Sequence, residues 1–286
     1  MSRTRGFSDF IVDVYVRFSR DAGSFLAATI SYYALFSIFP VLLLAISAAG
    51  FFVAEREMTE IILDYTKEAL PQFSHVVRTN VEAIAKNRQS TGLVGLVALL
   101  WIGTAVFDAI TYSLNRVWDV ETPRHFITTK LLSVAAVILA ILLLILTTLV
   151  STMLGTFQAF WRETFSVAPP LQALQFTTFL GTLAITFSAL VVIYSVVPNK
   201  RLRFGDVWIG AAFTTIVLEI AKRFFIVYTA RIARFNAIYG SVGVIVGLLF
   251  WLYIMGLIFI LGAEINASLT ARVRTAKNND EKKGKA

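Results

Sequence analysis

Glu219, Lys222 and Arg223 interrupt an otherwise apolar stretch, GAAFTTIVLEIAKRFFIVYTARIAR, at residues 210–234. On a helix Glu219 stands three and four positions before the two bases, so all three share one face in the favourable acid-first order. Arg231 and Arg234 extend the series. At 100° per residue Glu219, Arg223, Arg234 and Arg231 fall within an arc of about 120°, a basic stripe. Guanidinium on such a stripe grips phosphate or carboxylate bidentately, which suits an anionic head group. The bland alternative is snorkelling arginines around one structural ion pair. The expectation is that Glu219 faces the protein interior and neutralises Lys222 or Arg223.

Asp108, Glu264 and Asn266 are the other polar residues placed within apolar segments. Ionisable groups at membrane depth are costly and are functional candidates by default. A helix-end carboxylate satisfied by its neighbours explains Asp108 equally well. A polar tie between helix ends does the same for Glu264 and Asn266. The eight residues Asp108, Glu219, Lys222, Arg223, Arg231, Arg234, Glu264 and Asn266 are therefore the candidate substrate or ion-pair positions.

Catalytic and metal-binding patterns are missing. The chain has no cysteine and two histidines, His75 and His125, neither with a second histidine at helical or loop spacing. HxxxH, DxD, GxGxxG and a Walker lysine are absent. No enzyme, metal site or cofactor is expected. The net charge of +8 is explained by basic loops and a basic tail that set topology and meet anionic lipid, rather than by nucleic acid.

The elements that must position these groups are membrane helices. The 286 residues are 57% hydrophobic, with a mean hydropathy of +0.73. The apolar residues come in blocks of about 20, enough to cross a ~30 Å hydrocarbon core. The expected fold class is all-α, a polytopic membrane protein with six transmembrane helices and an N-terminal interfacial amphipathic helix. Phe7, Phe10, Ile11, Val14 and Phe18 define the apolar face of that helix, within an N-terminal unit of residues 1–28.

The membrane domain, 29–268, has spans at about 29–53, 92–112, 131–153, 175–197, 206–229 and 241–268, the first with Pro40 mid-span. An amphipathic extracytoplasmic segment fills 54–91, and Gly243 with Gly247 forms a small-xxx-small pair suited to close packing. Residues 269–286 read as a disordered basic cytoplasmic tail. Six spans put both termini on one side, where sixteen of the 26 Lys and Arg fall, so both are expected in the cytoplasm. From that side Glu219 lies about 18 Å deep and Arg223 about 24 Å.

The chain resembles the YihY / virulence factor BrkB family of six-span inner-membrane proteins, formerly called ribonuclease BN. The resemblance is carried by AATISYYALFSIFPVLLLAIS, LNRVW, VPNKR, LEIAKRFFIVY and the closing YGSVGVIVGLLFWLYIMGLIFILGAEINA. It implies a multi-pass protein of the bacterial plasma membrane with cytoplasmic termini. It supplies no catalytic residues. The expected function is that of a transporter or flippase-like protein for an anionic lipid or other amphiphile, with membrane lipids as partners. A non-transporting scaffold supporting envelope integrity is the alternative, and a nuclease a distant third. A cavity lined by Asp108, Glu219, Lys222 or Arg223 would favour transport. The sequence leaves open whether the chain forms homo-oligomers.

Overall fold

The computed structural model describes residues 2–49, 101–120, 124–125, 127–139, 171–232 and 236–283, with 142 and 156. These are helical apart from short connections, and among them there is no strand. Helix α1 is Ser2–Arg20 and α2 Gly23–Ala49; α3 is Ala105–Val117 and α4 Ile127–Leu139. Helices α5 (Leu171–Val196), α6 (Phe204–Ile232) and α7 (Asn236–Lys283) complete the bundle. α7 packs along α2 and α6, α5 against α6, and α1 against the far part of α7.

Local chemistry sets the helix ends. α1 stops at Ala22, whose φ of 55° reverses the chain into α2. α3 closes with Asp119 at φ 49°, where the N–H of Val120 reaches Asn115 O (2.9 Å) and that of Asp119 reaches Arg116 O (3.2 Å), a Schellman end. α5 stops before Pro198, which disfavours helical geometry at its predecessor. The α6 start is fixed by Asp206, whose carboxylate accepts the Arg203 N–H (2.9 Å) while its own N–H returns to Arg203 O (2.9 Å).

Among the described residues three helices are long and apolar enough to cross a membrane, over Phe179–Val196, Phe204–Val227 and Ile245–Thr275. Ile220, Phe224, Ile226 and Val227 are about half exposed or more on α6, as lipid-facing residues are.

The helices differ from the sequence reading at several points. Residues 269–283 continue α7 rather than forming a disordered tail. The segment after Ser268 has no Gly or Pro before Gly284 and is rich in helix formers, and its first turns pack on α1. The second helix starts at Gly23, six residues before the expected span, and it continues through Pro40. α3 runs to Val117, five residues beyond the expected end.

On α1, Val14 is buried and Phe18 packs on the core, but Ile11 is 52% exposed, so only part of the expected apolar face is covered by protein. A Cβ added at Gly247 would meet nothing within 4 Å, so it is not a packing glycine. The close approaches are elsewhere. A Cβ on Gly210 would strike Gly262 O, one on Gly262 would strike Thr214 Oγ1, and one on Gly256 would lie 2.9 Å from Ala27 O. Residues 54–91 and Arg234 lie outside the described residues.

Candidate functional site

The candidate residues occupy three separate places. Asp108 sits in the first turn of α3. It accepts hydrogen bonds from Lys130 Nζ (2.8 Å) and from Ser133 Oγ (2.5 Å), both on α4. Lys130 also lies 4.2 Å from the centroid of the Trp101 ring. Asp108 is thus a neutralised tie between two helices.

Glu219 pairs with Lys222 and, at 3.9 Å, with Arg223 Nε. The pairing matches expectation, but the face is more open. The Glu219 side chain is 20% exposed, Lys222 42% and Arg223 68%. The Arg223 guanidinium sits 5.2 Å from the Phe179 ring centroid on α5. One carboxylate therefore serves two cations on a helix face that is otherwise apolar. Arg231 lies in the last turn of α6.

The third place is the α1 end of the bundle. Arg20 forks onto Asp21, Nε to Oδ1 at 3.0 Å and Nη2 to Oδ2 at 2.9 Å, and its Nη2 also reaches Asp119 Oδ1 at 3.1 Å. Asp21 is 3% exposed, and Arg116 Nε approaches it at 3.8 Å. This cluster joins the α1–α2 corner to the end of α3. Next to it, Asp13 accepts from Arg17 Nε (3.3 Å) and Ser268 Oγ (2.5 Å), with Arg272 Nε at 3.8 Å. Arg272 Nη2 also donates to Asp9 O at 2.6 Å. These contacts clasp α1 to α7. Partial burial pushes the Asp13 carboxyl up, but the Ser268 hydroxyl, then Arg17 and Arg272, outweigh it and hold it below its ordinary 3.8. The bond to Asp21 raises the affinity of Arg20 for its proton against some desolvation, so it stays charged.

Glu264 and Asn266 lie on α7 at this end. Asn266 Oδ1 accepts the Gly210 N–H (2.7 Å), as a tie between helices should, whereas its buried Nδ2 has no hydrogen-bond partner among the described residues. Glu264 is fully buried, and among the described residues neither carboxylate oxygen has a hydrogen-bond partner, so they do not form the expected tie. A pocket of about 170 Å³ beside Asn266 is lined also by Asp206, Ile209, Thr270 and Arg274. Asp108, Glu219, Lys222 and Arg223 do not line it.

Besides the Asp21 cluster and the α1 clasp, two further polar arrangements carry no signal in the sequence. Tyr194, fully buried, donates to Phe259 O (2.7 Å) and accepts from Thr214 Oγ1 (2.9 Å), joining α5, α6 and α7. Arg124 caps the end of α5, with Nε on Asn199 Oδ1 (3.1 Å) and Nη2 on Val196 O (3.3 Å). Neither has a local signature, because each partner comes from a distant segment. Among the described residues no group of three His, Cys, Asp or Glu could hold a metal ion.

Span-length apolar helices with ionisable groups set within them define an all-α integral membrane protein. The sequence profile of the Virulence factor BrkB family matches residues 14–286, and the chain belongs to that family. It is 30% identical over 286 residues to the ribonuclease-like protein YfkH of Bacillus subtilis (strain 168), covering 94% of this chain and 98% of that one. It is 28% identical over 252 residues to a UPF0761 membrane protein of Chlorobium luteolum, covering 86% of this chain and 56% of that one. A UPF0761 membrane protein of Photobacterium profundum is 26% identical over 259 residues, 90% of this chain and 79% of that one. The chain thus spans nearly all of YfkH but little more than half of the Chlorobium relative. No solved structure matches the chain.

Proposed function

We propose that the protein moves an anionic lipid or another anionic amphiphile across the plasma membrane, as a transporter or flippase-like protein without cofactor or covalent chemistry. The carrying observation is the surplus of cations at Glu219. Arg223 stays 68% exposed beside the exposed Ile220, Phe224 and Val227. A guanidinium among lipid-facing side chains has an anionic head group as its natural counter-ion. In this reading the chain has six spans, the α1 end faces the cytoplasm, and Arg231 and Arg234 extend the basic stripe outward.

The decisive experiment is mass spectrometry of lipids that co-purify with the folded protein. Wild type should retain acidic lipid, and Arg223→Ala should lose it selectively while keeping its thermal stability. Unchanged lipid content in Arg223→Ala rejects the reading. A reporter after Ala286 should be active in the cytoplasm and one near residue 88 outside; both on one side rejects the topology.

The scaffold alternative draws support from α1, where Ile11, Val12, Tyr15 and Val16 are 52–70% exposed and offer an apolar strip to a bilayer surface or a partner. A scaffold predicts stability loss without a selective lipid effect. Although YfkH is called ribonuclease-like, we expect purified protein with Mg²⁺, Mn²⁺ or Zn²⁺ to cut RNA no faster than a protein-free control.

A further inference from the structure

The pocket beside Asn266 lies between the start of α6 and the far part of α7 and holds about 170 Å³. At about 30 Å³ of liquid per water, that is room for several waters or one small polar group. α6 contributes Asp206 and α7 contributes Arg274, so an acid and a base stand on the two helices that wall it. They do not pair with each other. Among the described residues the Asp206 carboxylate takes only the Arg203 N–H, and the Arg274 guanidinium has no hydrogen-bond or ion-pair partner. The inner wall is Asn266, almost fully buried, whose Nδ2 also has no partner among the described residues. We infer that this pocket binds the head group of a zwitterionic phospholipid with a primary ammonium, its phosphate on Arg274 and Asn266 and its ammonium on Asp206.

The charge pattern selects the ligand. A plain anion would meet the Asp206 carboxylate as well as the guanidinium, and repulsion from the one offsets attraction to the other. A hard metal cation collects about six oxygens or more, and here it would find one carboxylate facing an arginine. Phosphate and ammonium a few bonds apart satisfy both walls at once. The guanidinium fork matches two phosphate oxygens. Arg203 N–H takes Asp206 Oδ2, which leaves Oδ1 to accept from an ammonium N–H.

The surroundings point to the bilayer as the source of that head group. Ile209 and Val273 line the pocket and are exposed, as are Phe204 and Trp208 on the first turns of α6. Acyl chains gain by covering such side chains, whereas a water-soluble head group does not. The apolar stretch of α6 begins at Phe204, directly after the polar run from Asn199 to Arg203, so the pocket sits at the level of lipid head groups. Trp208 is of a type enriched at that level.

This site is separate from Arg223, which lies further along α6 and is read as holding an acidic lipid. The test is native mass spectrometry of the full chain in detergent with added phosphatidylethanolamine, phosphatidylglycerol or phosphatidylcholine. It is run on wild type and on Arg223→Ala, so that lipid held at Arg223 is not counted. Both proteins should retain phosphatidylethanolamine over phosphatidylcholine, whose ammonium has no N–H, and Arg223→Ala should also prefer it to phosphatidylglycerol. An excess of free glycerophosphoethanolamine should not displace it. Added to Arg223→Ala, Arg274→Gln should weaken retention about tenfold, the worth of one charge-assisted hydrogen bond. Asp206→Asn in the same background should abolish the preference over phosphatidylglycerol; asparagine still accepts the Arg203 N–H, so the start of α6 is kept. Equal retention of the three lipids by Arg223→Ala, a preference that survives Asp206→Asn, retention untouched by Arg274→Gln, or displacement by the free head group would overturn the inference.

Discussion

Replacing Asp21 by Asn should cost far more than replacing Asp119 by Asn, although both acids bind the same Arg20 guanidinium. The Asp21 side chain is 2% exposed and takes two charge-assisted hydrogen bonds; that of Asp119 is 63% exposed. Such bonds are worth about 1.5–3 kcal/mol each, and severing a fully buried pair costs about 3–5 kcal/mol. Arg20 is 48% exposed, so it recovers part of its hydration when its partner is lost. After that discount Asp21→Asn should cost about 2–3 kcal/mol. That is roughly a 30- to 150-fold change in the folding equilibrium. Asp119→Asn should cost about 0–1 kcal/mol. Asparagine tolerates the left-handed backbone of residue 119, so this exchange removes charge without straining the chain. Reversible unfolding in mixed micelles, followed by tryptophan fluorescence, measures both. Equal losses, or a neutral Asp21→Asn, would refute the claim that burial sets the strength of this network.

Asp13 stabilises the clasp through a lowered carboxyl, so its contribution is present above its ordinary 3.8 and is lost as pH falls through the folded value. Exchange of α1 amides should therefore accelerate below about pH 4 in wild type and show no such step in Asp13→Asn. Ala22→Gly should raise stability by about 1 kcal/mol in thermal unfolding, because glycine adopts φ 55° without the Cβ penalty. Gly262→Ala should lose about 1–3 kcal/mol in the same assay, whereas Gly247→Ala, with open space around it, should be near neutral. Glu219→Ala should lower folded yield only modestly, because Lys222 and Arg223 are exposed enough to rehydrate.

The long apolar helices were legible because a membrane span writes itself as uninterrupted length, and α5, α6 and α7 lie where that length indicated. The Glu219 pairing was legible too, since i, i+3 and i, i+4 contacts depend on one helix alone. Contacts between helices were not. Gly243 and Gly247 have the small-xxx-small spacing, yet Gly247 faces open space. Gly210 and Gly262 stand 52 positions apart in the chain and meet directly. Asp21 carries no signal in the sequence, because Arg116 and Asp119 join its cluster from nearly a hundred residues away. In the sequence Glu264 is a candidate site residue or a tie between helices; that its carboxylate has no hydrogen-bond partner among the described residues emerges only with its neighbours placed.

At the crossing of Gly210 and Gly262, main chain comes close against main chain, and the Asn266, Thr214 and Tyr194 side chains close around it. Side-chain layers are what let packed helices slide, since rotamers can yield by small amounts. Here the side chains are held in place, Asn266 by the Gly210 N–H and Tyr194 by Phe259 O, so α6 and α7 should travel together as one plate. α1 is fastened to this plate by charges, and a charge can change partners without a cavity opening. Any shift between helices should therefore come more readily at the α1 seam than at the glycine crossing.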